Sequence, residues 1–323
     1  MEFSKSSDYA ASLLERVVHR VETVMVGKKE VIRLILIAML SGGHILLEDV
    51  PGTGKTRLIK TIASCLGASF GRIQFTSDVM PSDITGTSVF KPNTGDFEYK
   101  SGPIMANIVL GDEINRAAPR TQSALLEAME EKSVTVDGST YALPKPFLLM
   151  ATQNPLQFEG TFRLPEAQLD RFMMKLSLGY PTVNEEVEMM NRQGGVGDSL
   201  IRPVMLAEEL VRMQREASAV FVDPIIKEYI AQTAANSRIH PELILGISPR
   251  GSIAWMCAAQ AAAYMNGRMY VIPDDVKEVA VPVLSHRIRS RGELSRNHHS
   301  DSIVRSLLQD TPIPIQQPAR ARG

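Results

Sequence analysis

The sequence predicts an α/β protein: a parallel sheet flanked by helices, followed by an all-α domain. Three observations carry this expectation. Up to about residue 181, short β-rich runs alternate with helical ones, as in parallel sheets built from crossover units. One of those runs, "HILLEDV", is apolar throughout its middle and closes on the glycine-bordered stretch "PGTGKT". Beyond Pro181 the chain reads as helices punctuated by Gly and Pro.

The elements follow in order. "VIRLILIAML" is about half the roughly 20 residues needed to span a bilayer, so it reads as a helix buried nearly all round. "HILLEDV" is a buried strand and "KTRLIKTIASCLG" a helix. Further strands are expected in "GRIQFT", "NIVLGDEI", "FLLMATQN" and "MMKLSLG". Among them lies the helix "PRTQSALLEAMEEK", with Leu125, Leu126 and Met129 at helical spacing. Two hairpins decorate the sheet: "SVFKPNTGDFEYK", around an Asn-Thr-Gly-Asp turn, and "SVTVDGSTYAL", around the Asp-Gly pair favoured in two-residue loops.

The later helices are "NEEVEMMNRQ", "LAEELVRMQREA", "DPIIKEYIAQTAANS", "SPRGSIAWMCAAQAAAYM" and "PDDVKEVAVPVLSHRI". Asp223 and Ser248 each precede a proline, as N-caps do when Pro takes the first helical position. "GGVGDS" reads as a loop. The expected division is residues 1–181 for the α/β domain, 182–310 for the helical domain, and 311–323 for a poorly ordered Pro-rich tail.

Composition narrows the function classes. With 35 basic and 36 acidic side chains in 323 residues, the chain has no overall bias towards nucleic acid or anionic membranes. Cys65 and Cys257 lack metal-ligand spacing and read as buried thiols in a reducing compartment. The start, "MEFSKSSDYA", has no apolar export region, so a cytoplasmic location is expected.

The candidate site starts at the Gly-rich loop. Backbone N–H groups at a helix start, aided by the helix dipole, bind phosphate. Gly52 and Gly54 supply unhindered backbone, Lys55 a point charge for the terminal phosphates, and Thr56 a hydroxyl for Mg²⁺. Asp49 stands where the full phosphate-loop pattern has its first glycine; a short polar residue tolerating unusual backbone angles suits that turn. Taken alone, a chance Gly-Lys-Thr turn remains an alternative.

"IVLGDEI" ends in two carboxylates, as expected of a Walker B strand beside the phosphate-loop strand. Asp112 would hold Mg²⁺ through its water shell and Glu113 would polarise the attacking water. "LLMATQN" brings Asn154 to the end of another buried strand, near those carboxylates, where its amide can orient water. On its own, Asn154 also fits an Asn-Pro turn starter.

These stretches together carry a family resemblance. "LLEDVPGTGKT", "DEINRAAPRTQSALLEAMEE", "ATQNP", "LPEAQLDRF" and "GISPRG", followed by "GRMYVIPDDV" and "LSHRI", resemble MoxR-type AAA+ ATPases over nearly the whole chain. Such proteins carry Gly or Asp at the position of Asp49. The resemblance implies a P-loop NTPase sheet followed by an all-α lid, with ATP and Mg²⁺ as ligands. It implies that Asn154 is sensor 1, Arg171 an arginine finger for a neighbouring subunit's nucleotide, and Arg250 sensor 2. It places Val26 and Gly27 beside adenine, and Pro51, Gly52, Thr53, Gly54, Lys55, Thr56 and Arg57 around the phosphates. Without it, Arg171 reads as a local partner of Asp170, and Arg250 as an exposed arginine.

The resemblance further implies a homo-oligomeric ring, read as a hexamer, with both hairpins facing its central opening or the substrate. A chaperone-like role in maturing protein complexes follows, including metal or cofactor insertion with a separate von Willebrand factor A partner. Two rivals share the hairpins: a nucleic-acid motor and a magnesium-chelatase ATPase subunit. Motors carry basic hairpin tips to meet phosphates. Here the second tip reads Val136-Asp137-Gly138-Ser139, and the first hairpin offsets Lys91 and Lys100 with Asp96 and Glu98. Nucleic acid is therefore not the expected partner, and the basic tail, Arg320 and Arg322, reads as a solvated terminus.

Overall fold

A computed structural model describes residues 2–50, 52–154, 161–191, 202–291 and 296–313. Pro51, the "GGVGDS" loop and the tail from residue 314 lie outside the described residues. The chain forms two compact units, Ser12–Met213 in one and Met1–Ala11 with Gln214–Gly323 in the other.

The first unit opens with α1 (Glu2–Glu22), which extends into it, and α2 (Lys29–Leu40). β1 (Ile45–Glu48) runs into the glycine loop, which gives way to α3 (Lys55–Cys65) and β2 (Phe70–Gln74). A short α4 (Pro81–Thr85) leads to the hairpin of β3 (Gly86–Lys91) and β4 (Asp96–Ser101). β5 (Ile108–Asp112) and α5 (Pro119–Glu131) precede the second hairpin, β6 (Ser133–Val136) and β7 (Ser139–Ala142). β8 (Leu148–Gln153), α6 (Glu166–Leu169), β9 (Met174–Leu176), α7 (Val183–Asn191) and α8 (Ala207–Ser218) complete the run.

The five core strands are parallel, in the order β2-β5-β8-β1-β9. This corrects one expectation: the carboxylate strand β5 is not beside the phosphate-loop strand β1, because β8 lies between them. Burial does not separate the candidates: β8 is buried from Leu148 to Thr152, β5 from Ile108 to Gly111 and β1 from Ile45 to Leu47, so all three take interior places and apolar character alone does not set their order. All five strands still end on the same edge, so a residue at the end of β5 remains near one at the end of β1.

Apolar residues of β1, β5 and β8, among them Leu46, Val109 and Leu149, pack into one core with Leu125, Leu126 and Met129 of α5. Burying side chains of this size contributes on the order of 2 kcal/mol each. α2 buries seven residues from Ile32 to Leu40, as its all-round apolar sequence requires. In the second hairpin, Asp137 and Gly138 have φ of 49° and 79°, the left-handed pair that matches a two-residue loop to strand twist. The two hairpins meet where Tyr99 of β4 stacks on Tyr141 of β7, ring centres 4.0 Å apart.

The other unit contains α9 (Pro224–Ile239), α10 (Pro249–Met265), α11 (Pro273–Leu284) and α12 (Arg296–Asp310). Between them runs a short antiparallel ribbon, Leu243–Leu245 with Arg289–Ser290, which the all-helical reading lacks. Asp223 caps α9 by accepting from the Ile225 amide at 2.9 Å. Ser248 caps α10 by accepting from the Gly251 amide at 3.0 Å. Trp255, fully buried, donates its indole N–H to Val276 O at 2.7 Å and ties α10 to α11. No helix among the described residues is long and apolar enough to cross a membrane.

Candidate active site

At the carboxyl ends of β1, β5 and β8 lies a cleft of about 420 Å³, the position where open parallel sheets receive ligands. Asp49, Gly52, Thr53, Gly54, Lys55, Thr56 and Arg57 line one side, and Asp112, Glu113, Thr152, Gln153 and Asn154 the other. Gly52 and Gly54 have φ of 87° and 83°, a conformation side chains disfavour. Gly54 is the N-cap of α3 and has no side chain to occupy the helix's first N–H groups, which leaves them for a ligand. Lys55 Nζ donates to Val50 O at 2.8 Å and Asp49 O at 3.2 Å, folded back on its own loop.

The two carboxylates are held differently. Asp112 Oδ1 accepts from Thr152 Oγ1 at 2.7 Å and Oδ2 from Arg72 Nη2 at 2.8 Å. Glu113 has φ 59° and ψ 51°, left-handed backbone that non-glycine residues rarely adopt and that concentrates at functional sites. Its amide donates to Thr152 Oγ1 at 2.8 Å, which helps to keep it there. Its carboxylate accepts from Arg116 Nη1 at 2.9 Å and Gln74 Nε2 at 3.4 Å. Asn154 is buried, and its carbonyl accepts from Asn115 Nδ2 at 3.5 Å.

Lys55, Thr56, Asp112, Glu113 and Asn154 thus line one cleft, although they come from three strand ends. Pro51 lies outside the described residues. Val26 and Gly27 occupy the loop between α1 and α2, whose Met25 methyl would lie 3.2 Å from a Cβ on Gly54. Arg171 is not among the lining residues. It pairs with Glu130 at 3.1 Å and donates to Leu126 O at 3.1 Å, so α5 holds it. Arg250 belongs to the other unit, exposed in the first turn of α10.

Asp49 departs from expectation. Its φ is not left-handed, so backbone freedom does not explain the residue. It is buried, and its carboxylate accepts from Ser177 Oγ at 2.7 Å, Leu178 N at 2.7 Å and Gly179 N at 3.0 Å. The sequence reading also missed Thr152, Arg72, Gln74 and Arg116. Thr152 had a visible signal, a hydroxyl interrupting the apolar run before Asn154. Arg72 and Gln74 become recognisable only once the strand order is known, whereas Arg116 is a local partner three residues after Glu113.

The donor set bears on Mg²⁺. The described residues hold no cluster of three or more His, Cys, Asp or Glu. Thr56 and Asp112 offer two oxygens across the cleft, the sparse set that suits Mg²⁺ completed by water and phosphate oxygens. The residues present fit the ion.

Fold and cleft together define a P-loop ATPase of the AAA+ class. Residues 44–174 match the model described as "ATPase family associated with various cellular activities (AAA)", and residues 235–307 match the AAA lid domain. The chain is 50% identical to Bacillus subtilis "Uncharacterized protein YeaC" over 95% of its own length and 97% of the relative's. It is 39% identical to "Chaperone MoxR1" of Mycobacterium tuberculosis, over 93% of this chain and 82% of that one. A crystal structure from Cytophaga hutchinsonii, named for the ATPase class, superposes with a TM-score of 0.89 at 37% identity, covering 96% of this chain and 98% of that one. The chain belongs to the MoxR-type AAA+ ATPases.

Proposed function

We propose that this chain hydrolyses ATP as a subunit of a homo-oligomeric, hexameric ring and uses the cycle to remodel or mature protein complexes in the cytoplasm. The observation that carries the reading is the convergence of Lys55, Thr56, Asp112, Glu113 and Asn154 on one cleft. Phosphoryl transfer asks mainly for positioning and charge stabilisation, which such a constellation supplies.

In this reading Lys55 leaves the carbonyls of Asp49 and Val50 for the terminal phosphates. The amides from Gly52 to Arg57 cradle the remaining phosphate oxygens. Thr56 and Asp112 hold Mg²⁺, which when bound neutralises phosphate charge. Glu113 polarises the attacking water, and Asn154 orients it. Val26 and Gly27 receive the base. Arg171 completes a neighbouring subunit's site after exchanging its Glu130 partner for phosphate, and Arg250 acts as sensor 2 from the helical lid. An arginine finger contributes roughly 10³–10⁵ in rate, so a lone subunit is nearly silent.

The name of the Mycobacterium tuberculosis relative supports a chaperone-like role. The client is a protein assembly, and a separate von Willebrand factor A protein is the proposed partner. Titration of a fluorescent ATP analogue tests the reading: wild-type chain binds it with Mg²⁺, and Lys55→Ala loses at least about 100-fold in affinity through the missing charge-assisted contacts. Equal affinity in the two proteins would remove the phosphate loop from the account.

A further inference from the structure

We propose that Asp49 and Lys28 are positioning residues that join the phosphate loop to the segment Leu178–Tyr180, so that the state of Lys55 is passed to the start of α7. The inference rests on the nucleotide reading above and adds what Asp49 does in it.

Both side chains grip Leu178 and Gly179, Asp49 reaching also to Ser177 and Lys28 to Tyr180. The Asp49 carboxylate takes the amides of Leu178 and Gly179, and the hydroxyl of Ser177, at 2.7–3.0 Å. Lys28 Nζ donates to the carbonyl of Leu178 at 2.8 Å and to those of Gly179 and Tyr180 at 3.4 Å. Asp49 is 6% exposed and Lys28 9%. The segment begins two residues after β9 and ends three residues before α7.

Holding a connection with two buried charges is costly. Apolar packing of similar volume is often equally stable or better, so simple fold maintenance does not call for it. What the charges add is direction. Short, charge-assisted bonds on both polar edges of a segment make it move with its holders.

Asp49 lines the cleft, and Lys28 directly follows the loop proposed to receive the base. Asp49's own carbonyl accepts from Lys55 Nζ at 3.2 Å, so its main chain binds the phosphate lysine while its side chain binds the segment. When Lys55 turns to a phosphate, that carbonyl loses its donor and the loop entry relaxes. Lys28 follows Val26 and Gly27 directly, and Gly27 abuts α7 so closely that an added Cβ would lie 1.7 Å from Glu185 Oε1. Loop entry, base-side loop and α7 therefore share one connection.

The experiment measures three quantities on the full chain: affinity for a fluorescent, non-hydrolysable ATP analogue with Mg²⁺, steady-state turnover, and hydrogen exchange at the Leu178 and Gly179 amides. In wild type, saturating analogue changes exchange at these amides at least about threefold, although neither residue lines the cleft. Asp49→Asn puts a donor where an acceptor is needed. It should keep analogue affinity within about threefold, lose the exchange response, and lower kcat about tenfold with KM little changed. Lys28→Met should behave alike, and the double variant should be no worse than either single. Ser177→Ala removes one donor only and gives a milder loss, which secures the test should Asp49→Asn fail to fold. A wild-type exchange response and turnover in Asp49→Asn, or in Ser177→Ala if that is the folded variant, overturns the proposal. Failure of the wild-type chain to bind the analogue is seen in the first measurement and sinks the nucleotide reading itself.

Discussion

Thr152 donates to Asp112 Oδ1 at 2.7 Å, across the pairing of β8 with β5. The same hydroxyl accepts the amide proton of Glu113, so one side chain on the central strand fixes both acidic residues. Thr152→Val keeps the shape and removes both bonds, leaving the Asp112 carboxylate to Arg72 and the left-handed Glu113 backbone less restrained. Turnover should fall on the order of tenfold with ATP affinity little changed, and Thr152→Ser should restore most of it. Steady-state kinetics of the two variants checks this.

Acid should destabilise the α/β unit through His44. The ring is buried; Nδ1 accepts from Leu149 N at 2.9 Å, so the proton sits on Nε2, which faces Met129 O at 3.2 Å. Burial pushes its pKa down to about 4 from 6.5. Between those values the unfolded chain binds a proton that the native one refuses. Its contribution is intact above about pH 7 and is lost as pH falls through the window, by about 3 kcal/mol in all. Denaturant midpoints from pH 7.5 to 4.5 should show the fall, and His44→Gln should flatten it.

The stacked pair Tyr99 and Tyr141 makes the two hairpins one body. Tyr99 Oη is also tied to Thr85 O at 2.5 Å, anchoring the stack to the hairpin base. Replacing Tyr141 by Leu should speed amide exchange in the 86–101 hairpin, although no residue of that hairpin is changed. A double-mutant cycle with Tyr99→Leu should give a coupling of about 1 kcal/mol.

The proposed ring makes a sharper demand. Specific activity should rise with protein concentration, and Arg171→Ala should lose at least about 10³ in turnover. Mixing Arg171→Ala with Glu113→Gln should recover activity that neither has alone. In a mixed ring the first supplies an intact carboxylate and the second supplies the arginine. Additive inactivity at every mixing ratio would argue against a finger in trans.

Local chemistry made much of this legible. Gly52 and Gly54 announce left-handed backbone, the apolar runs announce buried strands, and Asp223 and Ser248 announce helix starts through a cap followed by proline. The strand order is not legible, because three of the apolar runs, β1, β5 and β8, are equally suited to a place covered on both faces. With it go Arg72 and Gln74, whose meanings are cross-strand contacts. The role of Asp49 is hidden in the sequence, since the amides its carboxylate binds lie about 130 residues away. α1 has a readable face, Leu13, Leu14, Val17, Val18 and Val21, all buried. α12 has one too, with Ile303, Val304 and Leu307 on its buried side.

Phosphate release at saturating ATP and Mg²⁺, with bound nucleotide measured in the same samples, tests the central claim most directly when wild type is set beside Glu113→Gln. The account predicts equal occupancy in the two proteins, steady release from the wild type, and release lowered at least about 100-fold in the variant. Glu113→Gln turning over at the wild-type rate, or fully loaded wild-type protein releasing no phosphate, would contradict it.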